Sequence, residues 1–431
     1  MKAFVNNKYV DPIPFLYVLS LAIAFTTRYG DVEIGYKHQL VIGAFWIFFI
    51  LIKLIQNKFL FQYSARFNSS VFLKSVKLYI FPHIILHLYT VFLMFIGVVS
   101  WSNFTSNLTV YVPTLLAIFS LYFFKNRSLH YFFYSYLLSW GMSVCISLFT
   151  KGPLIFVQAI YQTYINSEGS VCGIQANYFE LHDLVLASGY IVIYYFWKKR
   201  KLTINNLIFI SFVILIFFLG MKRVALLGIL LFFIFKLCLD KFIKNNSFKF
   251  CIFIGWLGIF FCYFYVFIFS IGDDFFNLLN NFGINPMGRN YYYGAVLAYS
   301  SFSIDFYGIG RNVVTYLLNN ELSYLRVGGV HSDVIKMYVE NGFILFGFWL
   351  WYYLVFITKF YKRNFGTTCS SYYFSLTIYC FSLYLTDNVE IYFICQIAVT
   401  LLPLYYAFFS KDSIKHLSVK KMYRFCTSSV P

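Results

Sequence analysis

Charged residues are scarce in this chain. Asp, Glu, Lys and Arg make up 12% of its 431 residues, whereas hydrophobic residues make up 60%. This is about half the charge of an ordinary soluble domain. The apolar residues also come in long runs, with no linker that could separate soluble domains. The composition therefore predicts an all-α, polytopic membrane protein with a single transmembrane domain over residues 1–431.

Several signatures of known chemistry are also missing. The nine cysteines lie mostly inside apolar runs, which excludes a disulfide framework and a cysteine metal site. The chain has no phosphate-binding P-loop, no nucleophile elbow and no zinc-protease motif. It shows no internal repeat and no pair of related halves. We expect neither a metal nor another cofactor.

Apolar stretches long enough to cross a bilayer predict about twelve transmembrane helices. The stretch from Ile204 to Asp240 must form two of them, because one helix of that length would overshoot the membrane. The twelve stretches are residues 13–28, 39–55, 77–100, 108–124, 129–149, 181–197, 204–219, 224–239, 249–271, 342–360, 371–386 and 388–408.

The distribution of charge predicts the topology. With the N-terminus in the cytoplasm, about three quarters of the 34 Lys and Arg residues fall in cytoplasmic segments, as the positive-inside rule expects. Of the acidic residues, only Asp11, Asp240 and Asp412 fall on that side. We therefore expect both termini in the cytoplasm. The net charge of +18 then reports topology, and we expect no nucleic-acid partner.

The longest hydrophilic interruption, residues 272–332, lies between the ninth and tenth predicted spans and is expected to be external. Within it, Arg311 to Leu325 carries apolar residues at helical spacing, which predicts a short amphipathic helix on the outer surface.

Polar residues cluster at four places that this topology puts on the external side. They are Glu180, His182 and Asp183; Lys222 and Arg223; Arg289 with Gly308, Gly310 and Arg311; and His331, Asp333, Lys336 and Glu340. Polar groups at a span end are costly and need a reason.

Each cluster has a structural reading beside the functional one. Lys222 and Arg223 could snorkel to lipid phosphate, but they stand where Lys and Arg are disfavoured, in a very short turn. Ser332 or Asp333 could cap a helix whose charges at positions 333, 336 and 340 form ion pairs along one face. A capped helix of this kind would also be a rigid mount for catalytic groups.

The segment from Arg289 to Trp351 resembles the O-antigen polymerase (Wzy-type) family of bacterial surface-polysaccharide assembly, which is related to the O-antigen ligases. The resemblance rests on an arginine followed by aromatic and small residues, the YGIG glycine pair, HSDVIKMYVENG and a following apolar span. ELHDL at 180–184, the KR pair at 222–223 and TDN at 386–388 support it. One departure is that neither Arg311 nor Arg326 has a glycine eleven positions later.

The resemblance implies a glycosyltransferase-C-like architecture in the bacterial inner membrane. Such an enzyme would join oligosaccharide repeat units linked to undecaprenyl diphosphate into O-antigen or capsule at the external face. Its partners would be these glycans, membrane lipid and a separate chain-length regulator. Phosphate chemistry favours Lys222, Arg223, Arg289 and Arg311 as diphosphate ligands. His331 is the first choice of general base, oriented by Asp333 or Glu340, and His182 is the second.

Two other functions stay open at this point. An O-antigen ligase would transfer the finished polymer to a lipid A core with the same donor chemistry. A lipid-linked oligosaccharide flippase would show two related halves and charges buried within its spans along a central cavity.

Overall fold

The computed structural model describes fourteen segments of the chain: residues 12–26, 28–29, 32–33, 37–56, 69–100, 110–154, 157–158, 182–197, 203–220, 222–241, 243, 246–271, 289–325 and 329–410. All structural statements below concern these residues.

The fold is helical, as the composition predicts. The long helices are α1 (Pro12–Phe25), α2 (Lys37–Gln56), α3 (Ser69–Phe95), α4 (Tyr111–Phe124), α5 (Ser128–Lys151), α6 (His182–Trp197), α7 (Ile204–Gly220), α8 (Arg223–Lys241), α9 (Ser247–Ser270), α12 (Asp333–Trp351), α14 (Thr367–Tyr384) and α15 (Phe393–Phe409). Shorter helices are α10 (Arg289–Leu297), α11 (Val313–Asn319) and α13 (Ile357–Phe365). A π-helical segment, Tyr352–Phe356, joins α12 to α13. Single 3₁₀ turns lie at Lys125–Arg127, Ser323–Leu325 and Val389–Ile391. Two antiparallel strands of two residues each, Arg28–Tyr29 and Val32–Glu33, complete the list.

Each of the twelve predicted apolar stretches corresponds to a helix. The division of residues 204–240 is confirmed, because α7 ends at Gly220 and α8 begins at Arg223. The tenth stretch begins earlier than predicted, at Asp333, since the polar residues before position 342 are also helical.

Five of the described helical stretches are long and apolar enough to cross a membrane: Lys37–Gln56, Phe72–Phe95, Tyr111–Thr150, Ser247–Ser270 and Asp333–Phe365. The third is interrupted at Lys125, which has a φ of 51° and separates α4 from α5. Four shorter apolar helices, Pro12–Phe25, Asp183–Trp197, Asn206–Gly220 and Phe393–Phe409, accompany them. The chain therefore has the helices of a membrane protein. The count of twelve spans, the positions of the termini and the glycosyltransferase-C-like architecture stay predictions.

The long predicted loop, of which residues 289–325 and 329–332 are described, is only partly helical. The helix expected over residues 311–325 is confined to α11 and the 3₁₀ turn at Ser323–Leu325. Val314, Leu317 and Leu318 of α11 are buried in the hydrophobic core. The helix is therefore shorter than predicted, and its apolar face packs against protein.

Candidate functional site

Helix α12 begins at a capped and strained turn. Ser332, in extended conformation, accepts a hydrogen bond from the Ile335 amide at 3.3 Å and forms the N-cap, as predicted. His331, immediately before the cap, has a φ of 54°. Non-glycine residues rarely adopt positive φ, and such strain is often found at functional sites. The imidazole is 40% exposed, so a ligand can reach it.

The loop between α14 and α15, residues 385–392, packs against this turn. The Asp333 amide donates to the carbonyl oxygen of Asp387 at 3.2 Å. In the other direction, the Glu390 amide donates to Oδ2 of Asp333 at 2.7 Å. These two hydrogen bonds fix the loop and the start of α12 to each other. The Asp333 carboxylate thus holds backbone in place.

Asp387 is the acidic neighbour of His331. Its Oδ1 lies 3.9 Å from Nδ1 of His331. The same oxygen accepts hydrogen bonds from the Asn388 amide at 2.8 Å and from the Tyr392 hydroxyl at 2.9 Å. The carboxylate is therefore held in position beside the imidazole. A carboxylate on one ring nitrogen is the usual device for orienting a histidine that exchanges a proton through the other.

Helix α10 brings an arginine to the same loop. Arg289 Nη2 donates to the Thr386 carbonyl oxygen at 3.3 Å. One turn further on, Tyr293 donates to the His331 carbonyl oxygen at 2.9 Å. The Tyr292 ring lies 6.2 Å from the His331 ring. Arg289, His331 and Asp387 therefore meet at one place, and we call these three residues the candidate site.

A buried charge network lies behind the candidate site; it consists of Arg311, Lys336, Glu340 and Glu390. Arg311 Nη2 donates to Glu390 Oε1 at 2.7 Å, and its Nε lies 3.9 Å from Glu340 Oε2. Lys336 Nζ lies 3.4 Å from Glu390 Oε2. Glu390 thus bridges two cations, and Arg311 lies between two carboxylates. Buried charges are tolerated when they are paired in this way.

The electrostatics keep Glu390 and Arg311 of this network ionised at neutral pH. Burial alone would raise the pKa of Glu390, but Arg311 and Lys336 outweigh it and lower that pKa to about 2. Burial alone would lower the pKa of Arg311, and the carboxylates of Glu390 and Glu340 instead raise it. The Glu390 carboxylate and the Arg311 guanidinium are therefore charged at neutral pH.

Two glycines allow the loop before Arg311 to approach α12 closely. Gly308 and Gly342 have φ values of 84° and 74°. A Cβ on Gly308 would lie 2.4 Å from the Gly342 nitrogen. Gly310 donates its amide to the Glu340 carbonyl oxygen at 2.8 Å, and Phe343 donates to the Phe306 carbonyl oxygen at 2.9 Å. This contact kinks α12 at Gly342 and delivers Arg311 to Glu340.

Asp183 and the Lys222–Arg223 turn lie at the same end of the helix bundle. Asp183, at the start of α6, is buried, and its carbonyl oxygen is 3.7 Å from the Cys395 sulfur in the first turn of α15. Gly220, just before the Lys222–Arg223 turn, packs on Val185 of α6. The turn is therefore near the start of α6, with Lys222 half-buried and Arg223 exposed.

Two of the predicted site residues are not fully described. Glu180 lies outside the described residues. His182 is the first residue of α6, and only its backbone is described.

One predicted interaction differs in the structure. The ion pair expected within α12, between Lys336 and Asp333 or Glu340, is replaced by the pair between Lys336 and Glu390. The Asp333 carboxylate instead accepts the Glu390 amide, and Glu340 faces Arg311. The helix therefore directs its charges toward other segments of the chain.

Sequence reasoning assigned no role to Asp387 or Glu390. TDN at 386–388 was a weak signal for the first of them. Glu390 had no local signal, because its partner Arg311 is 79 positions away in the sequence.

Comparison of the chain with protein-family models, with curated proteins and with solved structures gave no match.

Proposed function

We propose that the chain is a glycosyltransferase that polymerises oligosaccharide repeat units carried on undecaprenyl diphosphate, at the external face of a bacterial inner membrane. The proposal rests on one observation. Next to a bundle of apolar helices, three polar residues lie close together: Arg289, His331 and Asp387. A lipid-linked donor needs both features: an apolar surface for its tail and a polar site for the sugar and diphosphate. The choice of reaction comes from the resemblance of the segment 289–351 to the O-antigen polymerases.

In this reaction His331 acts as the general base. It accepts the proton of a hydroxyl group on the acceptor glycan, and the hydroxyl oxygen forms a bond to the anomeric carbon of the donor. The bond from that carbon to the diphosphate oxygen breaks, and undecaprenyl diphosphate leaves with the electron pair. We assign to Asp387, whose Oδ1 lies 3.9 Å from the imidazole, the role of orienting His331. It takes the place expected for Asp333 or Glu340.

Cations near the departing diphosphate lower the barrier because negative charge grows on it in the transition state. Arg289 is our first candidate, since its guanidinium already reaches the loop that holds Asp387. Arg223 and Lys222, at the same end of the bundle, are the second. Arg311 was predicted to bind diphosphate as well. We give it a positioning role instead, because it is 3% exposed and bonded to Glu390.

A flippase is the alternative that one observation favours. Asp333 and Glu340 are buried within a stretch that is apolar and long enough to span a membrane, and a flippase is expected to carry charge there. However, the sequence shows no pair of related halves, which a flippase is expected to have. We therefore rank polymerase first.

Reconstitution with one purified lipid-linked repeat unit tests the proposal. Ladder products from that substrate alone support a polymerase. Transfer to added lipid A core without glycan growth would replace it by a ligase, and movement of the substrate across the bilayer without any transfer would replace it by a flippase.

The variants His331→Ala and Arg289→Ala test the site assignment. We expect each to lower the rate by about 10²- to 10⁴-fold, the usual contribution of a general base or of a transition-state cation. His130→Ala and Arg127→Ala are matched controls, because both residues are exposed at the turn between α4 and α5. Full activity in both site variants would refute the assignment.

A further inference from the structure

A cavity of about 290 Å³ lies against the 385–392 loop. Its walls come from the start of α2, from α11, from the 385–392 loop and from the first residue of α15. Gln39, Thr315, Asn388 and Phe393 are among its lining residues, together with Lys336 and Glu390 of the buried charge network. Its volume is at the lower end of the range for small-molecule sites.

Four neutral polar side chains line this cavity: Gln39, Asn312, Thr315 and Asn388. Gln39 is 2% exposed and Asn388 8% exposed. Amide and hydroxyl groups on the wall of a cavity this size can donate hydrogen bonds to a bound ligand and accept them from it.

The charges at the wall restrict the ligand further. Lys336 and Glu390 both line the cavity, but they are paired with each other at 3.4 Å. An anion would meet the Glu390 carboxylate, and a cation would meet Lys336 and Arg311 behind it. A lipid chain would leave the amides unsatisfied. The ring of Phe393 and the neighbouring aliphatic residues offer apolar surface as well. The lining matches a neutral molecule with hydroxyl groups on its edges and C–H groups on its faces.

The cavity is joined to the candidate site through two consecutive residues. Asp387 faces His331, while Asn388 faces the cavity. Gly329, two positions before His331, is packed so closely on Asn388 that a Cβ there would lie 2.2 Å from the Asn388 side-chain nitrogen. A molecule held against Asn388 would thus lie next to Asp387, whose Oδ1 is 3.9 Å from the proposed base, His331.

We propose that this cavity binds one neutral sugar unit of the repeat-unit glycan, with Gln39, Thr315 and Asn388 as hydrogen-bonding residues. The inference rests on the proposed function for the identity of the glycan. It assigns to the chain a sugar subsite that is separate from the diphosphate contacts at Arg289.

The test is direct binding of the repeat-unit glycan freed from its lipid diphosphate by mild acid, measured on the purified full chain in detergent by saturation-transfer NMR. We expect saturable binding to the wild type. Gln39→Leu and Thr315→Val should each raise Kd about three- to tenfold, because each removes one neutral hydrogen bond. Gln56→Leu is the matched control, since Gln56 is exposed at the other end of the same helix. Melting temperatures show whether each variant is folded.

The outcomes separate this inference from the proposed function. If the wild type polymerises repeat units while Gln39→Leu and Thr315→Val both bind the free glycan as the wild type does, the subsite is refuted and the function stands. The absence of saturable binding to the wild type would also refute the subsite. If the wild type binds the free glycan and these two variants weaken it, but no polymerisation occurs, the subsite stands and the proposed reaction fails.

Discussion

The pair formed by Arg311 and Glu390 should be among the strongest single contributions to stability in the described part of the chain. The two side chains are 3% and 7% exposed, and Nη2 lies 2.7 Å from Oε1. Replacing Arg311 by Met would leave Glu390 with Lys336 alone and Glu340 without its nearest cation. Removal of one member of a buried pair costs about 3–5 kcal/mol. We expect Arg311→Met to lower the free energy of unfolding by this amount.

A double-mutant cycle measures the interaction itself. Glu390→Gln alone should be destabilising, but the double variant Arg311→Met/Glu390→Gln should lose less than the sum of the two. We expect a coupling energy of about 1.5–3 kcal/mol, the range for hydrogen bonds to charged groups. Unfolding in mixed micelles, followed by circular dichroism as the denaturing detergent is increased, supplies the free energies.

The pair between Lys236 and Asp240 provides the control cycle. These residues are one helical turn apart at 2.9 Å, and Asp240 is 41% exposed. Lys236→Met also removes a contact with the Trp197 ring, 4.9 Å away, but the cycle cancels this effect. We expect a coupling energy of about 0.3–0.5 kcal/mol. A coupling for Arg311 and Glu390 no larger than this control, or a cost of Arg311→Met below about 1 kcal/mol, would refute the reasoning.

Two further predictions concern the same region. Gly308→Ala should lower the melting temperature and the yield of folded protein, because the new Cβ would lie 2.4 Å from the Gly342 nitrogen and φ is 84°. Gly294→Ala, with no atom within 4 Å of its Cβ, should be neutral or stabilising by up to about 1 kcal/mol, and equal effects of the two substitutions would contradict the packing argument. The pKa of Glu390 is lowered from 4.5 to about 2, so its contribution to stability is complete above about pH 4.5 and is lost as the pH falls toward 2. Melting temperatures between about pH 5 and pH 3 should therefore fall more steeply for the wild type than for Glu390→Gln, and parallel curves would show that Glu390 is not responsible.

The helices were predictable because their signals are local. Hydropathy over about twenty residues located all twelve apolar stretches, and the length limit of a span required the break that the structure has between Gly220 and Arg223. The Ser332 cap follows from residue type and position. The helix over residues 311–325 was predicted too long. Periodicity identified its apolar face, but nothing local says whether lipid or protein covers that face.

The candidate site was predicted only in part. Arg289 and His331 were identified because charged residues near span ends are conspicuous in an apolar sequence. The partner of His331 was not, because Asp387 lies 56 positions further along the chain, where it follows an apolar helix. Lys336 was assigned to neighbours on its own helix, since spacings of three and four residues suggest such pairs. Its carboxylate is Glu390, which comes from another segment.

The sequence by itself determined that the chain is helical and apolar, where its helices run, and which few polar residues need an explanation. These properties depend on interactions between residues close together in the chain and between side chains and their solvent. Only the tertiary structure decided which charges meet. The burial of Arg311 between Glu390 and Glu340 requires the two glycines that let residues 306–310 approach α12. Packing also decides the roles of His331 and Arg311. A substrate can reach His331 because its side chain is exposed, whereas Arg311 is buried and supports the fold.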